Sequence, residues 1–369
     1  MANEFEIGPI RPPSEAESLL LRITRNCPWN KCKFCTLYKK HRFSVRSVDE
    51  IKADIDQVAL YRSNISDGIP ENLYELPNDT MQRYLHVMQW MASGEESVFL
   101  QDANTVVLSY DKLRDILIHL REKLPSVKRV TTYGRVDSLN RFSLEQLVGL
   151  KKAGLDRIHS GYETGSDKVL ALINKGCTKA QEIEAGQKVK ASGIELSVYF
   201  MPGCGGKDLS ASNAIETADV VNKVNPDFVR IRTFVAQKGT ELFDDIAANR
   251  IKECTDREKM LELKKMIEHI DGADGHLYSD HIINLFEDVR GNMNSDKENM
   301  LSVFAAFEDL DIAEQRMYQI ARRLCMVRSL RHFAFLNLEQ RKIVHSYHVQ
   351  LDTEDAFESF ISKLLQRYV

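Results

Sequence analysis

Six short apolar runs, at residues 18–25, 97–101, 128–133, 155–160, 194–201 and 227–234, recur along the chain with helix-period segments between them. Several of those segments, at 48–61, 111–123, 143–153, 179–191 and 210–224, are opened by Ser, Thr or Asp and closed by Gly or Pro. Alternation of this kind demands parallel strands joined by right-handed crossovers, in an open doubly wound sheet or in a complete or partial β/α barrel. Periodicity does not choose between them. The polar, proline-containing stretch 62–79 reads as a surface loop or lid ahead of a helix at 80–91. Beyond residue 251 the texture changes to charged amphipathic helix with few strand signals, so a helical C-terminal appendage is expected through residue 369. No repeat of fixed period appears.

Charge and composition exclude several function classes. Fifty Lys and Arg against 54 Asp and Glu leave a net charge of −4, so no overall cationic field draws the chain to nucleic acid or anionic lipid. A hydrophobic content of 43%, with 18 Gly and 9 Pro, is that of a chain with a sizeable core, not a disordered one. The acidic start, MANEFEIGPIRPPSEAES, lacks a signal-peptide core, and no apolar run approaches the ~18 residues that span a bilayer. A cytoplasmic protein without a membrane partner is the expectation.

Three of the seven cysteines, Cys27, Cys32 and Cys35, fall within nine residues directly after the first apolar run. Metal ligation explains such clustering better than a disulfide framework. Several sites remain open. Structural zinc needs a fourth ligand, for which His41 is available. The spacing C-x4-C-x2-C also matches the plant-type 2Fe–2S pattern with a distant fourth cysteine. A third possibility is a cubane cluster with one iron on each thiolate and the fourth iron open to a small molecule.

The first strand, the triple-cysteine loop, Phe34 immediately before Cys35 and the repeating strand–helix order together resemble the radical SAM superfamily. The resemblance runs from about residue 19 to 243 and favours the cubane, with one more residue between Cys27 and Cys32 than the usual family spacing. It implies an α/β fold: a partial (β/α)6 TIM-like barrel at 15–250, preceded by an N-terminal tail at 1–14 and followed by a helical C-terminal subdomain at 251–369. It further implies a single 4Fe–4S cluster on Cys27, Cys32 and Cys35, with S-adenosylmethionine as the second cofactor and a reducing donor such as flavodoxin or ferredoxin. The implied reaction is reductive cleavage to a 5'-deoxyadenosyl radical that acts on a small-molecule substrate. Modification of RNA or protein, or non-catalytic electron transfer, are the alternatives. The likeness is to the iron–sulfur oxidoreductase-like branch without a cobalamin domain.

The same resemblance nominates cofactor contacts. The stretch 99–104 (FLQDAN) takes the place of the family's methionine-binding motif, with Asp102 for the ammonium and Asn104 for the polar end; turn capping is the plainer alternative. In 160–167 (SGYETGSD) Glu163 is the ribose or ammonium partner, and Asn174-Lys175-Gly176 follows. Arg135 and Ser138 point to the same rim, while His159 is expected to be simply packed. In 201–208 (MPGCGGKD) Gly203 belongs to a glycine-rich stretch expected to present amide donors to adenine. Its neighbour Cys204 either faces the site or is inert. Arg230 and Arg232 share one strand face by the period of two and should meet a carboxylate. His281 and Asn284 are expected on one helix face bordering the barrel mouth. Arg322, Arg323, Arg328 and Arg331 with His332 form either a phosphate contact or a solvated helix face. No catalytic residue is assigned.

Overall fold

The computed structural model describes residues 4–70 and 72–368. Residues 1–3 of the expected tail, Glu71 of the expected loop and Val369 lie outside the described residues. The strands are β1 (Leu19–Arg22), β2 (Thr24–Arg25), β3 (Ser44–Val45), β4 (Ser97–Gln101), β5 (Arg129–Tyr133), β6 (Arg157–Glu163), β7 (Glu195–Phe200), β8 (Phe228–Ile231), β9 (His276–Tyr278) and β10 (Arg290–Asn292). One sheet orders them β1-β4-β5-β6-β7-β8-β9-β10, and β2 pairs with β3 alone. The pairs β1/β4, β4/β5, β5/β6, β7/β8 and β8/β9 are parallel, while β9/β10 is antiparallel. The fold is therefore mixed α/β with a mostly parallel sheet of partial TIM-like type and a helical C-terminal region.

All six expected strands are present, the first ending at Arg22 before a short second strand. The C-terminal region departs from expectation by adding β9 and β10. Each is three residues long, too short for a period-two signal to register.

The chain divides into two compact units. The first comprises Met1–Asn30, Tyr38–Ser160 and Glu184–Leu196, the second Lys31–Leu37, Gly161–Ile183 and Ser197–Val369. In the first, β1 and β4 carry the apolar triplets 19–21 (LLL) and 98–100 (VFL), as buried parallel strands should. Its helix Val48–Asp67 opens with a Ser47/Glu50 capping box and continues six residues past its expected end, so 62–67 of the expected loop is helical. Side-chain bonds from Arg62 to Glu95 and from Asn64 to Tyr84 hold that extra turn and a half, a tertiary gain that local polarity does not reveal. Glu15 is wholly buried against His159, Ser18 and Arg129. Burial alone would raise its carboxyl, but the hydrogen bonds from His159 and Ser18 and the Arg129 charge pull it down to about 2.

In the second unit, Phe286, Phe307, Tyr318 and Phe333 form a chain of ring contacts at 5.3–5.7 Å. Beside it Arg323 binds both carboxylate oxygens of Asp256 at 2.6 and 2.8 Å, with both side chains buried. Arg323 and Arg322 also donate to the carbonyls of Ile282, Ile283 and Asn284. Those carbonyls therefore have side-chain donors, and 281–285 is a set of turns, not the expected helix. The two arginines are accordingly structural and not a phosphate contact or a solvated face. Arg331 instead lines a cavity of about 860 Å³ with Asp288 and Arg290.

Two measurements check these buried charges. Arg323→Met should cost about 3–5 kcal/mol in guanidinium chloride unfolding, because it strands Asp256. The double variant with Asp256→Leu should recover most of that loss. Glu15, whose carboxyl lies below its ordinary value, stabilises the fold above pH ~4.5 and loses that contribution as pH falls towards 2. Glu15→Gln should therefore cost about 3 kcal/mol at pH 7 and show a shallower loss of stability between pH 4.5 and 2 than the native chain.

Candidate functional site

In the first unit the cysteine segment begins and ends on one carboxylate. Asp102, at the end of β4, is wholly buried and accepts from the Arg22 guanidinium at 2.9 Å, from the Asn26 amide at 3.1 Å and from the Tyr38 hydroxyl. Burial and the Asp102 carboxylate push the Tyr38 hydroxyl well above its ordinary range. Cys27 is half-buried and its Sγ accepts the Asn30 amide at 3.4 Å. Asn104 is also wholly buried, donating to Ser138 Oγ at 2.8 Å and accepting the Arg135 amide at 3.0 Å. The residues nominated after β4 and β5 thus do converge, on one another. The Arg135 guanidinium stacks 5.4 Å from the Trp29 ring. His159 is packed, as expected, between Phe99 and Tyr133 with Glu15 at 3.2 Å.

In the second unit Cys32 is buried and Cys35 half-buried, and the Cys35 amide donates to the Cys32 carbonyl at 3.3 Å. Backbone bonds tie Lys33 to Ile173 and Leu242, and side-chain bonds tie Lys33 to Asp245 and Thr36 to Gln237. Phe34 packs on a cluster of Val169, Ile173, Met201, Cys204 and Phe234. Above its ring, at 5.9 Å, lies the Lys175 ammonium, which pairs with Glu163 at 2.9 Å. Phe34, Glu163 and the NKG lysine are therefore one constellation. Glu163 holds a left-handed backbone, φ 68°.

Glu182, buried beside this pair, was not singled out from the sequence, because a lone glutamate in the first turn of a helix carries no signal of burial. Burial, reinforced by the Glu163 charge and opposed by Lys175, raises its carboxyl well above the usual range.

The glycine-rich stretch differs from expectation. Residues 201–206 are buried, and the amides of Gly203 and Cys204 are taken by Glu262 (2.8 Å) and the Met201 carbonyl. Gly203 is needed for its backbone, φ +87°, and because a Cβ there would lie 2.7 Å from the Lys259 side chain. Its amide is already spent on Glu262 inside the fold. Glu262 also accepts from Asn213, and burial pushes its carboxyl up to about 7. Burial likewise pushes the Cys204 thiol far up, followed by the Glu262 charge, and the Cys254 thiol up to about 12.

Arg230 and Arg232 do not share one environment. Strand β8 ends at Ile231; Arg230 is buried, 3.4 Å from Asp280 and 5.3 Å from the Tyr278 ring, whereas Arg232 is exposed. Asn284 fixes the adjoining turn by bonds to Thr233 and to the Ile231 carbonyl. In that turn His281 Nδ1 accepts the Ile283 amide at 3.3 Å. Burial, with the Arg232 charge added, brings its imidazole down to about 4.

None of Cys27, Cys32 and Cys35 is in a disulfide, and three thiols on one nine-residue segment are a donor set suited to an iron–sulfur cluster. Among the described residues, no three His, Cys, Asp or Glu side chains are already gathered closely enough to hold a metal ion. The donor chemistry, and not a preformed cage, is what fits. No described helix is long and apolar enough to cross a membrane.

Residues 21–216, just over half of the chain, match the Radical SAM superfamily, and the chain belongs to it. It is an enzyme of a superfamily that uses a 4Fe–4S cluster and S-adenosylmethionine and needs a reductant. The chain is 28% identical over 192 residues to 4'-phospho-dehydrooxetanocin synthase of Priestia megaterium, a match covering 50% of this chain and 23% of that protein. It is 31% identical over 101 residues to a tRNA uridine(34) acetyltransferase of Methanocaldococcus jannaschii, covering 27% of this chain and 19% of that protein. The chain thus spans about a quarter or less of these curated relatives. Among solved structures, the radical S-adenosylmethionine methyltransferase TsrM of Kitasatospora setae superposes with a TM-score of 0.48 at 12% identity, covering 94% of this chain and 61% of that one.

Thiol chemistry tests the placement of Cys204. Iodoacetamide should label the exposed Cys325 of the native chain within minutes and reach Cys204 and Cys254 only on unfolding, as read by peptide mapping. Rapid labelling of Cys204 would show instead a thiol open to the site.

Proposed function

We propose that this enzyme reductively cleaves S-adenosylmethionine at a 4Fe–4S cluster held by Cys27, Cys32 and Cys35, and that the resulting 5'-deoxyadenosyl radical abstracts hydrogen from a small-molecule substrate. The observation that carries this reading is the set of three unbridged thiols inside the segment matched to the superfamily. Around them Glu163 is assigned to the cofactor ribose or ammonium, since a carboxylate has acceptor sites beyond the single Lys175 contact. Lys175 sets the position of Glu163, and Phe34 provides an apolar wall. Arg232, exposed at the end of β8, is assigned to a carboxylate of the cofactor. Gly203 shapes the turn beneath, while Asp102 and Asn104 act on the cofactor's surroundings through the groups they hold.

The remaining assignments follow the same reading. The catalytic core is 15–250 after a tail at 1–14, with a helical subdomain at 251–369; the reductant is a flavodoxin or ferredoxin, and the location is cytoplasmic. A small-molecule substrate is supported by the near-neutral charge and by the synthase relative, whose match covers half of this chain. RNA modification is the second reading, favoured by the tRNA-acting relative, whose match covers about a quarter.

Electron paramagnetic resonance of the anaerobically reconstituted, reduced chain is the test. Addition of S-adenosylmethionine should shift the cluster signal, and Cys32→Ala should abolish it. A zinc-containing protein, or a cluster signal indifferent to the cofactor, would overturn the proposal. With deuterated candidate substrates, label in 5'-deoxyadenosine identifies the substrate.

A further inference from the structure

Asp102 stands where the sequence suggests an ammonium ligand, yet its surroundings describe another task. The carboxylate is wholly buried, and its two oxygens already accept three hydrogen bonds. A cofactor ammonium at Asp102 would have to displace Arg22, its charged partner at 2.9 Å, from a site without solvent to compensate. The partners themselves are informative. Asn26 immediately precedes Cys27, and Tyr38 follows Cys35 by three residues, so one carboxylate grips the cysteine segment at both ends. A second tie, from Asn30 Nδ2 to the Tyr38 carbonyl at 2.6 Å, links the first half of the segment to its exit. Asn26 is further held by a bond from its side-chain amide to the Arg42 carbonyl at 2.7 Å. These bonds hold ligand-bearing backbone more than they hold the core, because Asn26 and Tyr38 both lie outside the strands of the main sheet.

We infer that Asp102 is a positioning residue for the iron–sulfur ligands: it clamps the two ends of the segment 26–38 and so sets where the cysteine thiols are presented. This rests on the function proposed above. Arg22 supplies the countercharge of this buried carboxylate at 2.9 Å. Its place on β1, level with Gln101 of β4, brings it to the carboxylate of the next residue. Asparagine at 102 keeps the shape but removes the charge that answers Arg22, and with its Oδ1 facing the Arg22 and Asn26 donors its Nδ2 takes the Tyr38 side, where the hydroxyl can no longer donate, so the clamp should loosen. Removal of the Tyr38 hydroxyl opens one end with little change in volume.

The full chain is prepared in four forms: native, Asp102→Asn, Tyr38→Phe and Glu15→Gln. The last is destabilised in the same unit without touching the segment. Each is reconstituted anaerobically with iron and sulfide, and read by iron content, by the g-values of the reduced cluster and, without iron, by hydrogen exchange. Asp102→Asn should bind less than half of the native iron or show shifted g-values, and should exchange the amides of 26–38 at least tenfold faster than the native apo-chain. Tyr38→Phe should fall between the two, and Glu15→Gln should match the native cluster. Native iron content, g-values and exchange in Asp102→Asn would overturn the inference, as would an equal loss in Glu15→Gln. Should Asp102→Asn fail to fold, Tyr38→Phe decides by the same criteria. A native chain that takes up no cluster overturns the function proposed above, and the exchange data on the apo-proteins then judge the clamp separately.

Discussion

The parallel register of β1 against β4 is the constraint on which the first unit depends. It sets Arg22 level with Gln101 and so beside Asp102, at the strand ends from which the cysteine segment departs. Because side chains alternate across a sheet, a slip of one residue would turn Arg22 to the opposite face and leave a buried carboxylate without its countercharge. The ladder of backbone hydrogen bonds, obligatory in a dry interior, therefore aligns a charge pair as well as two strands. Gln101 extends the same logic, its side chain accepting the Gly8 amide and donating to the Gly8 and Ile10 carbonyls, which lays the N-terminal segment along the strand ends.

Buried charge organises the second unit as well. Lys175 answers Glu163, Arg323 answers Asp256, and Arg230 approaches Asp280. The pairs span 12, 67 and 50 residues of the chain, and two of them have a neighbouring group to position: Phe34 under Lys175, and the His281 turn under Arg322 and Arg323. Where burial outweighs the nearby opposite charge, the proton equilibrium moves instead. Glu182 and Glu262 are driven upwards and His281 downwards, all first by burial. His281 consequently carries no charge at neutral pH, and with its Nδ1 accepting the Ile283 amide it bears its proton on Nε2.

Legibility in the sequence followed the range of the interaction involved. The helix at 179–191 and the strand at 97–101 coincide with observed elements because periodicity and caps are local. The cysteine segment was equally plain as a metal site, since that needs only three thiols at short spacing, whereas the choice of a cubane came from the family resemblance. The turn and a half at 62–67 was not, because its partners Glu95 and Tyr84 lie 33 and 20 residues away. Gly203 was rightly marked as a special position, but its amide is spent on Glu262, from a helix 59 residues on. Arg232 follows the same alternation as Arg230, yet the strand ends between them, and alternation says nothing about where a strand stops.

What the amino-acid order determined by itself is the alternation of strands and helices and the thiol triad after the first strand, and hence a metal site there. These rest on spacing within about a dozen residues, which the covalent chain enforces in any conformation. Tertiary structure decided which polar residues are left to meet a ligand. Asp102, Asn104, Arg322 and Arg323 look on paper like binding groups, but each satisfies its hydrogen bonds inside the fold, because a buried polar atom must be paired and its partner can come from anywhere in the chain.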